Sequence, residues 1–139
     1  MDLIASLQCA DQPGIVHAMT SAVLAAEGNI IENQQFTDHT TNTFVMRTRF
    51  ESAQSLEKAA ATLHAGLAQF KPALHIRPTN EKPRALVLVT KESHCLRDLL
   101  YLLELHEMPV EIPLVISNRE DLKDLVEAHG IPFLYLRRF

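Results

Sequence analysis

The stretch LVLVTKESHCLRDLL, residues 86–100, decides how the second half of the chain is interpreted. An apolar run stops, a short polar turn follows, and a leucine-rich segment with helical spacing begins, which together predict a strand followed by a helix. Such a turn binds phosphate when glycines let backbone N–H groups approach the ligand. The turn here lacks glycine and consists of Lys91, Glu92, Ser93, His94 and Cys95. The sequence therefore argues against a phosphate site.

Strands and helices continue to alternate beyond this turn. VEIPLVIS and IPFLYL predict two further strands, and SNREDLKDLVEAHG predicts a helix capped by Ser117 or Asn118 at one end and Gly130 at the other. RALVLVT is apolar without alternation, as expected of a strand buried on both faces of a parallel sheet. The charged run from Arg119 to Asp124 is interpreted as a solvated helix face. This half is predicted to be an α/β unit of Rossmann-like type.

The first half of the chain follows a different pattern. Period-two alternation and helical spacing predict the element order βαββαβ, an antiparallel four-stranded sheet with both helices on one face. Asp11 is expected to cap the first helix and Gly28 to end it. TNEKP is the predicted linker. The predicted domains are therefore residues 1–80 and residues 84–139.

Composition excludes several classes of function. A net charge of −4 argues against general nucleic-acid binding, which requires a basic surface. The N-terminus has neither a basic region nor an apolar run of membrane-spanning length, so a cytoplasmic protein without membrane contact is expected. The two cysteines are expected to be reduced, and the histidines and cysteines lack the spacing of a metal site.

Two groups of motifs resemble a known family when they are taken together. CADQPGIV and EGNIIENQQ resemble an ACT domain, a ferredoxin-like α+β module that binds small amino acids in metabolic enzymes. KESHCL, IPLVISN and HGIPF resemble the first part of a formyltransferase-type α/β domain. An ACT domain fused to that part is similar to the formyltetrahydrofolate deformylase family, and the similarity covers nearly the whole chain.

The resemblance implies a hydrolase that converts 10-formyltetrahydrofolate to tetrahydrofolate and formate for purine synthesis. It implies no cofactor, because the folate is the substrate. Related formyltransferases with a phosphorylated acceptor have a glycine-rich turn where this chain has KESHC, so the bulkier turn is expected to line or fill that pocket and admit little more than water. The family's catalytic Asn, His and Asp are expected beyond Phe139. We therefore assign no catalytic residue, and this chain alone is expected to be inactive.

The ACT resemblance implies an effector site, with glycine or methionine as the effector. Backbone N–H groups at the start of the first helix attract a carboxylate, and Gly14 permits close approach. Alternatively, Pro13 and Gly14 only shape a tight connection between strand and helix. The implied effector-binding residues are Asp11, Gln12, Pro13, Gly14, Ile15, Asn29 and Ile30. A homo-oligomer, at least a dimer, is also expected.

Several alternatives stay open at this point. Cys95 near a helix start could be a reactive thiol with His94 as its base, but neighbouring helical residues point about 100° apart. The alternative is a packed Cys95 beside a capping or pocket-lining His94. Lys91 is either a solvated charge or part of a pocket. The chain as a whole could instead be a stand-alone regulatory module that binds an amino acid.

Overall fold

The computed structural model describes residues 1–138 and divides the chain into two compact units, Met1–Glu81 and Lys82–Phe139. The division falls within the TNEKP stretch. Residue 139, the last position of the predicted second domain, lies outside the described residues.

The first unit is a four-stranded antiparallel sheet with the strand order β2-β3-β1-β4. The predicted order βαββαβ is confirmed, with one additional 3-10 turn at Ala68–Phe70 after the second helix. The elements are β1 Asp2–Ala10, α1 Ile15–Ala25, β2 Gly28–Asp38, β3 Thr43–Ser52, α2 Leu56–Leu67 and β4 Ala73–Pro78.

One face of this sheet is buried under the two helices, as the alternation predicts. Apolar residues at every second position of β1 and β3 pack against Met19 and Val23 of α1 and against Leu63 of α2. The buried strand residues are Leu3, Ala5, Leu7, Cys9, Phe44, Met46, Thr48 and Phe50. The unit therefore has a hydrophobic core of its own.

The two expected helix caps of α1 are wrong. The helix begins at Ile15 after Gly14, whose φ of 95° is left-handed, while the backbone N–H of Asp11 donates to the Asn42 carbonyl at 2.9 Å. At the other end the left-handed residue is Glu27, with φ 54°. Gly28 is already the first residue of β2. It is required for packing rather than for helix termination.

The second unit is a three-stranded parallel sheet with the order β5-β6-β7. Its strands alternate with helices, as the sequence predicts. Leu96 and Leu100 of the first of these helices pack against Val115 in the sheet. The elements are β5 Arg84–Val89, α3 His94–Glu104, β6 Glu111–Ser117, α4 Lys123–Glu127 and β7 Phe133–Tyr135.

Two predictions for this unit are wrong. The β5 strand is not buried on both faces, because Leu86 and Leu88 are 52% and 55% exposed. The helix α4 begins at Lys123, so neither Ser117 nor Asn118 caps it. Ser117 instead ends β6, and the loop before α4 is longer than the sequence pattern indicates. The sequence predicts that Gly130 ends this helix. In the structure α4 ends at Glu127, and Gly130 lies in the turn that follows, with a left-handed φ of 72°.

Replacement of Gly28 by alanine is predicted to destabilise the first unit. An added Cβ would lie 2.8 Å from both the side chain and the carbonyl oxygen of Val23, and 3.0 Å from the Phe50 ring. Overpacking of this kind costs ~1–3 kcal/mol of unfolding free energy. Chemical denaturation measures the change. The control is the neighbouring substitution Glu27→Gly, which removes a side chain from a left-handed position and should leave stability unchanged or higher. Equal stability of wild type and Gly28→Ala would contradict the prediction.

Candidate functional site

The carboxyl ends of the three parallel strands bring the predicted turn together with two other segments of the second unit. Val89 of β5 pairs with Ser117 of β6, and Ser117 pairs with Tyr135 of β7. The polar segments that follow these strands therefore lie along the same edge of the sheet. Ligands of open α/β sheets bind at this edge. It is the candidate functional site of the second unit.

Ser117 fixes the arrangement of this edge. Its side chain is fully buried, donates a hydrogen bond to the Thr90 carbonyl at 3.3 Å and accepts one from the Arg119 N–H at 3.0 Å. The Ser117 carbonyl accepts a further hydrogen bond from the Leu136 N–H at 2.9 Å. One residue thus holds the ends of all three strands in register.

The turn itself presents its side chains to solvent. Lys91, Glu92, His94 and Cys95 are exposed, and Ser93 is half-buried. The packed Cys95 that the sequence suggested is wrong, because the helix α3 directs Leu96 rather than its neighbour into the core. The structure does not pair His94 with Cys95 in a hydrogen bond among the described residues.

Ser93 and His94 do not cap α3 through their side chains in the described part of the chain. Ser93 occupies the N-cap position, yet its hydroxyl accepts a hydrogen bond from the Arg97 guanidinium at 3.2 Å. His94 is the first helical residue and lies on the solvent side. Its capping role is therefore wrong, while a role in lining a pocket stays a prediction.

A charged pair lies in the loop that follows β6. Arg119 donates to the Asp121 carboxylate at 2.9 Å, and this hydrogen bond lowers the pKa of Asp121 and raises that of Arg119. The positive charge of Lys91 makes a smaller contribution to the lowered pKa of Asp121. The interpretation of this run as a helix face is wrong for Arg119 and Asp121, which precede α4 and belong to the strand edge. The signal that was missed is a polar run directly after a parallel strand.

The implied effector residues of the first unit fall into two groups that one chain does not bring together. Asp11 follows β1, and Ala10 pairs with Thr43 at that end of the sheet. Asn29 pairs with Glu51, which pairs with Asp2 at the opposite end of β1. The two ends are eight residue steps apart along β1, or ~26 Å. A single pocket containing both groups is therefore excluded within one chain.

The loop before α1 is exposed to solvent around Gly14. Gln12 and Pro13 are exposed and Ile15 is buried, so the loop is anchored by its last residue. A Cβ on Gly14 would meet the Phe70 ring at an ordinary 3.9 Å. The glycine is thus required by its left-handed φ rather than by close packing. The first N–H groups of a helix have no intrahelical acceptors, so they are available to an anion here.

Within residues 1–138, no three His, Cys, Asp or Glu side chains lie close enough together to hold a metal ion. No helix in the same range is long and apolar enough to cross a membrane.

Curated proteins similar to this chain are formyltetrahydrofolate deformylases. The protein of Escherichia coli K12 is 39% identical over 127 residues, which is 90% of this chain and 44% of the relative. The protein of Bacillus subtilis 168 is 35% identical over 136 residues, 94% of this chain and 45% of the relative. The chain thus spans less than half the length of these relatives. No family model matches it.

Solved structures give the same result. A formyltetrahydrofolate deformylase of Pseudomonas putida KT2440 superposes with a TM-score of 0.80 and 26% identity, covering 97% of this chain and 49% of that one. A second, from Pseudomonas syringae, has a TM-score of 0.77 and 28% identity over 96% of this chain and 46% of its own. The resemblance stated from the motifs is confirmed.

The two cysteines are predicted to differ strongly in reactivity. Burial, assisted by the negative charge of Asp11, raises the pKa of Cys9, whereas Cys95 is exposed. Since the thiolate is the reactive form, a thiol reagent should label Cys95 on the order of a hundredfold faster than Cys9 in the folded chain. Labelling of the variants Cys9→Ser and Cys95→Ser assigns each rate. Both thiols should react at similar rates in denaturant, and equal rates in the folded chain would contradict the prediction.

Proposed function

We propose that this chain, a homologue of formyltetrahydrofolate deformylases, supplies two parts of an enzyme that hydrolyses 10-formyltetrahydrofolate to tetrahydrofolate and formate. In this proposal the unit Met1–Glu81 is an ACT-type regulatory domain. The unit Lys82–Phe139 is the first portion of a formyltransferase-type domain, and the edge built around Ser117 faces the substrate. Formate supply for purine synthesis in the cytoplasm belongs to the same proposal.

One observation carries the proposal: the similarity to deformylases extends across both units. A match over 90% of the chain at 39% identity includes the βαββαβ unit as well as the parallel sheet. A βαββαβ unit alone would be compatible with many functions. Its combination with this α/β unit, in this order, supports the deformylase class.

The chemistry of the turn supports a hydrolase rather than a transferase that uses a phosphorylated acceptor. The segment between β5 and α3 has no glycine that would let backbone N–H groups approach a phosphate, and it carries the exposed side chains of Lys91, Glu92 and His94 instead. A hydrolase transfers the formyl group to water and has no phosphate to bind. The Ser117 hydroxyl donates a hydrogen bond to the Thr90 carbonyl at the start of this segment and so ties it to the edge of the sheet.

The proposal assigns no catalytic residue to this chain. Hydrolysis of a formyl group requires a donor for the oxyanion and a base for the attacking water. We place these groups in the part of the deformylases that the chain does not match, which is more than half of the Escherichia coli K12 relative. The folate and the attacking water would then meet at the carboxyl edge of β5 and β6.

A formate-release assay tests this function. We compare the chain with a chimera in which it replaces the matched region of the Escherichia coli K12 relative, using that relative as the positive control. The chimera should release formate from 10-formyltetrahydrofolate, and the chain alone should not exceed the buffer blank. Release by the chain alone would contradict the assignment of the catalytic groups. A folded chimera without activity would contradict the deformylase function.

A second candidate function is a regulatory module that binds an amino acid without catalysis. The observation that favours it is the independent core of the first unit together with the exposed loop and left-handed Gly14 before α1. Glycine or methionine is the proposed ligand, with its carboxylate at the start of α1. Because Asn29 and Ile30 lie at the far end of the sheet, their participation requires a second copy of the chain, and we propose a homo-oligomer for that reason.

Calorimetric titration of the full chain with glycine and with methionine tests the regulatory function. The variant Gly14→Ala should weaken binding about tenfold, because an alanine strains the left-handed backbone that presents the N–H groups. The matched control is Gly130→Ala, which changes a glycine with φ 72° in the other unit and should bind like wild type. Flat traces with both amino acids would exclude this ligand class.

A further inference from the structure

A histidine connects the two helices of the second unit near their C-terminal ends. His129 lies in the turn after α4, and its Nε2 atom is 2.7 Å from the carboxylate of Glu104, the last residue of α3. Its Nδ1 atom is 2.9 Å from the carbonyl oxygen of Leu125 in α4. The His129 side chain is 21% exposed. We call Glu104 and His129 together the helix latch.

Both ring nitrogens of His129 face oxygen atoms that can only accept a hydrogen bond. An ionised carboxylate and a backbone carbonyl have no proton to donate, and a neutral imidazole carries a single N–H. In either neutral tautomer, one nitrogen lone pair would therefore point at an oxygen less than 3 Å away. The imidazolium form has two N–H groups and satisfies both acceptors. The geometry of the helix latch thus requires a protonated His129.

The positions of these groups on the two helices favour the same proton. Glu104 places a negative charge at the C-terminal end of α3, where the helix dipole is already negative. A cation beside it removes this unfavourable interaction. The Leu125 carbonyl belongs to the last turn of α4, where carbonyl groups lack an intrahelical donor, and the ring N–H supplies one.

The other charged groups around His129 are solvated. In residues 1–138, Glu104 is the one carboxylate within ion-pair distance of the ring. Exposed side chains are screened by water and contribute little at longer range. Those that line the two cavities beside the ring or belong to α4 are Lys82, Arg97, Tyr101, His106, Glu111, Lys123, Asp124 and Glu127. Glu104 therefore decides the electrostatics of the ring.

We propose that the helix latch is a proton-dependent connection that holds the C-terminal ends of α3 and α4 together and releases them when His129 loses its proton. The helix α3 begins after the turn that contains Lys91, and α4 follows the loop of Arg119 and Asp121. The joined helices thus carry two loops of the candidate site at their other ends. Protonation of the latch restrains both loops, whichever reaction that edge serves.

The sign of the pH dependence follows from the number of N–H groups that each state needs. The folded chain holds the second proton on the imidazole, whereas an unfolded chain leaves a histidine in water, where it loses its proton near about pH 6.5. The folded state therefore binds more protons than the unfolded state above that pH. Stabilisation by the latch is present at about pH 6 and is lost as the pH rises toward about 8.

Chemical denaturation followed by tyrosine fluorescence tests the helix latch. Both tyrosines of the chain, Tyr101 and Tyr135, lie in the second unit, and the chain has no tryptophan, so the signal reports on that unit. The unfolding equilibrium constant of the second unit should rise about fivefold between about pH 6 and about pH 8. Glu104→Gln should abolish this change, because its amide can donate to Nε2 of a neutral imidazole whose Nδ1–H still bonds the Leu125 carbonyl.

His106→Gln is the matched control for the denaturation experiment. It removes an exposed histidine that lines a cavity beside the ring and makes no ion pair among the described residues, so the wild-type pH dependence should remain. An equal pH dependence in wild type and Glu104→Gln would overturn the proposal. A wild-type equilibrium constant that does not change with pH would also overturn it.

Nitrogen NMR of the imidazole rings gives a readout that a contact without a proton requirement would not change. In the full chain at neutral pH, both ring nitrogens of His129 should carry protons, whereas in Glu104→Gln only Nδ1 should carry one. A neutral His129 in the wild-type chain at neutral pH would overturn the proposal, even if the stability of the second unit varied with pH.

Discussion

One-sided burial of a β-sheet under helices is the constraint on which both units depend, and the two units meet it differently. In the first unit the face away from the helices is mainly polar, with Gln8 and Ser6 on β1 and the Arg47 and Arg49 side chains on β3. Arg49 is paired with Asp2 at 2.6 Å, and this hydrogen bond lowers the pKa of Asp2. That face can remain in water, so the first unit is complete in itself. In the second unit the corresponding face is aliphatic, and its exposure to water is unfavourable in free energy.

This difference explains which parts of the fold could be predicted from the sequence. Alternation in β1 and β3 specifies one buried face, so the sheet of the first unit is predicted correctly, and Leu3, Met46 and Phe50 lie in the core beneath its helices. The run RALVLVT lacks alternation and predicts burial on both sides, but the structure covers only one. The apolar sequence of β5 thus predicts that both of its faces are buried, while the burial observed depends on which other segments pack against each face. Leu88 shows the difference, because the sequence predicts that it is buried and the structure exposes it.

Helix termini were predicted less well because several residues compete for the same geometric role. Asp11 is a good capping residue, yet its N–H is used by the Asn42 carbonyl and the left-handed Gly14 sets the start of α1. Ser117 is also a good capping residue, but a hydroxyl that ends a parallel strand can bond both neighbouring segments at once. Local propensity indicates that such a residue has a hydrogen-bonding role. It does not indicate which of the available partners is nearest after folding.

The candidate site follows from the same geometry, since a parallel sheet places the ends of its strands at one edge regardless of what they bind. Sequence motifs identified the turn around Lys91, but they separated it from Arg119 and Asp121, which strand order brings to the same edge. Because the three loops of this site follow strands of one sheet, the positions of their side chains depend on the order of that sheet. On β5 the side chains of Leu86 and Leu88 are exposed on the face opposite the helices. The exposed aliphatic face and the edge that carries the loops are thus linked through the same strands, so the order of the loops depends on the order of the sheet.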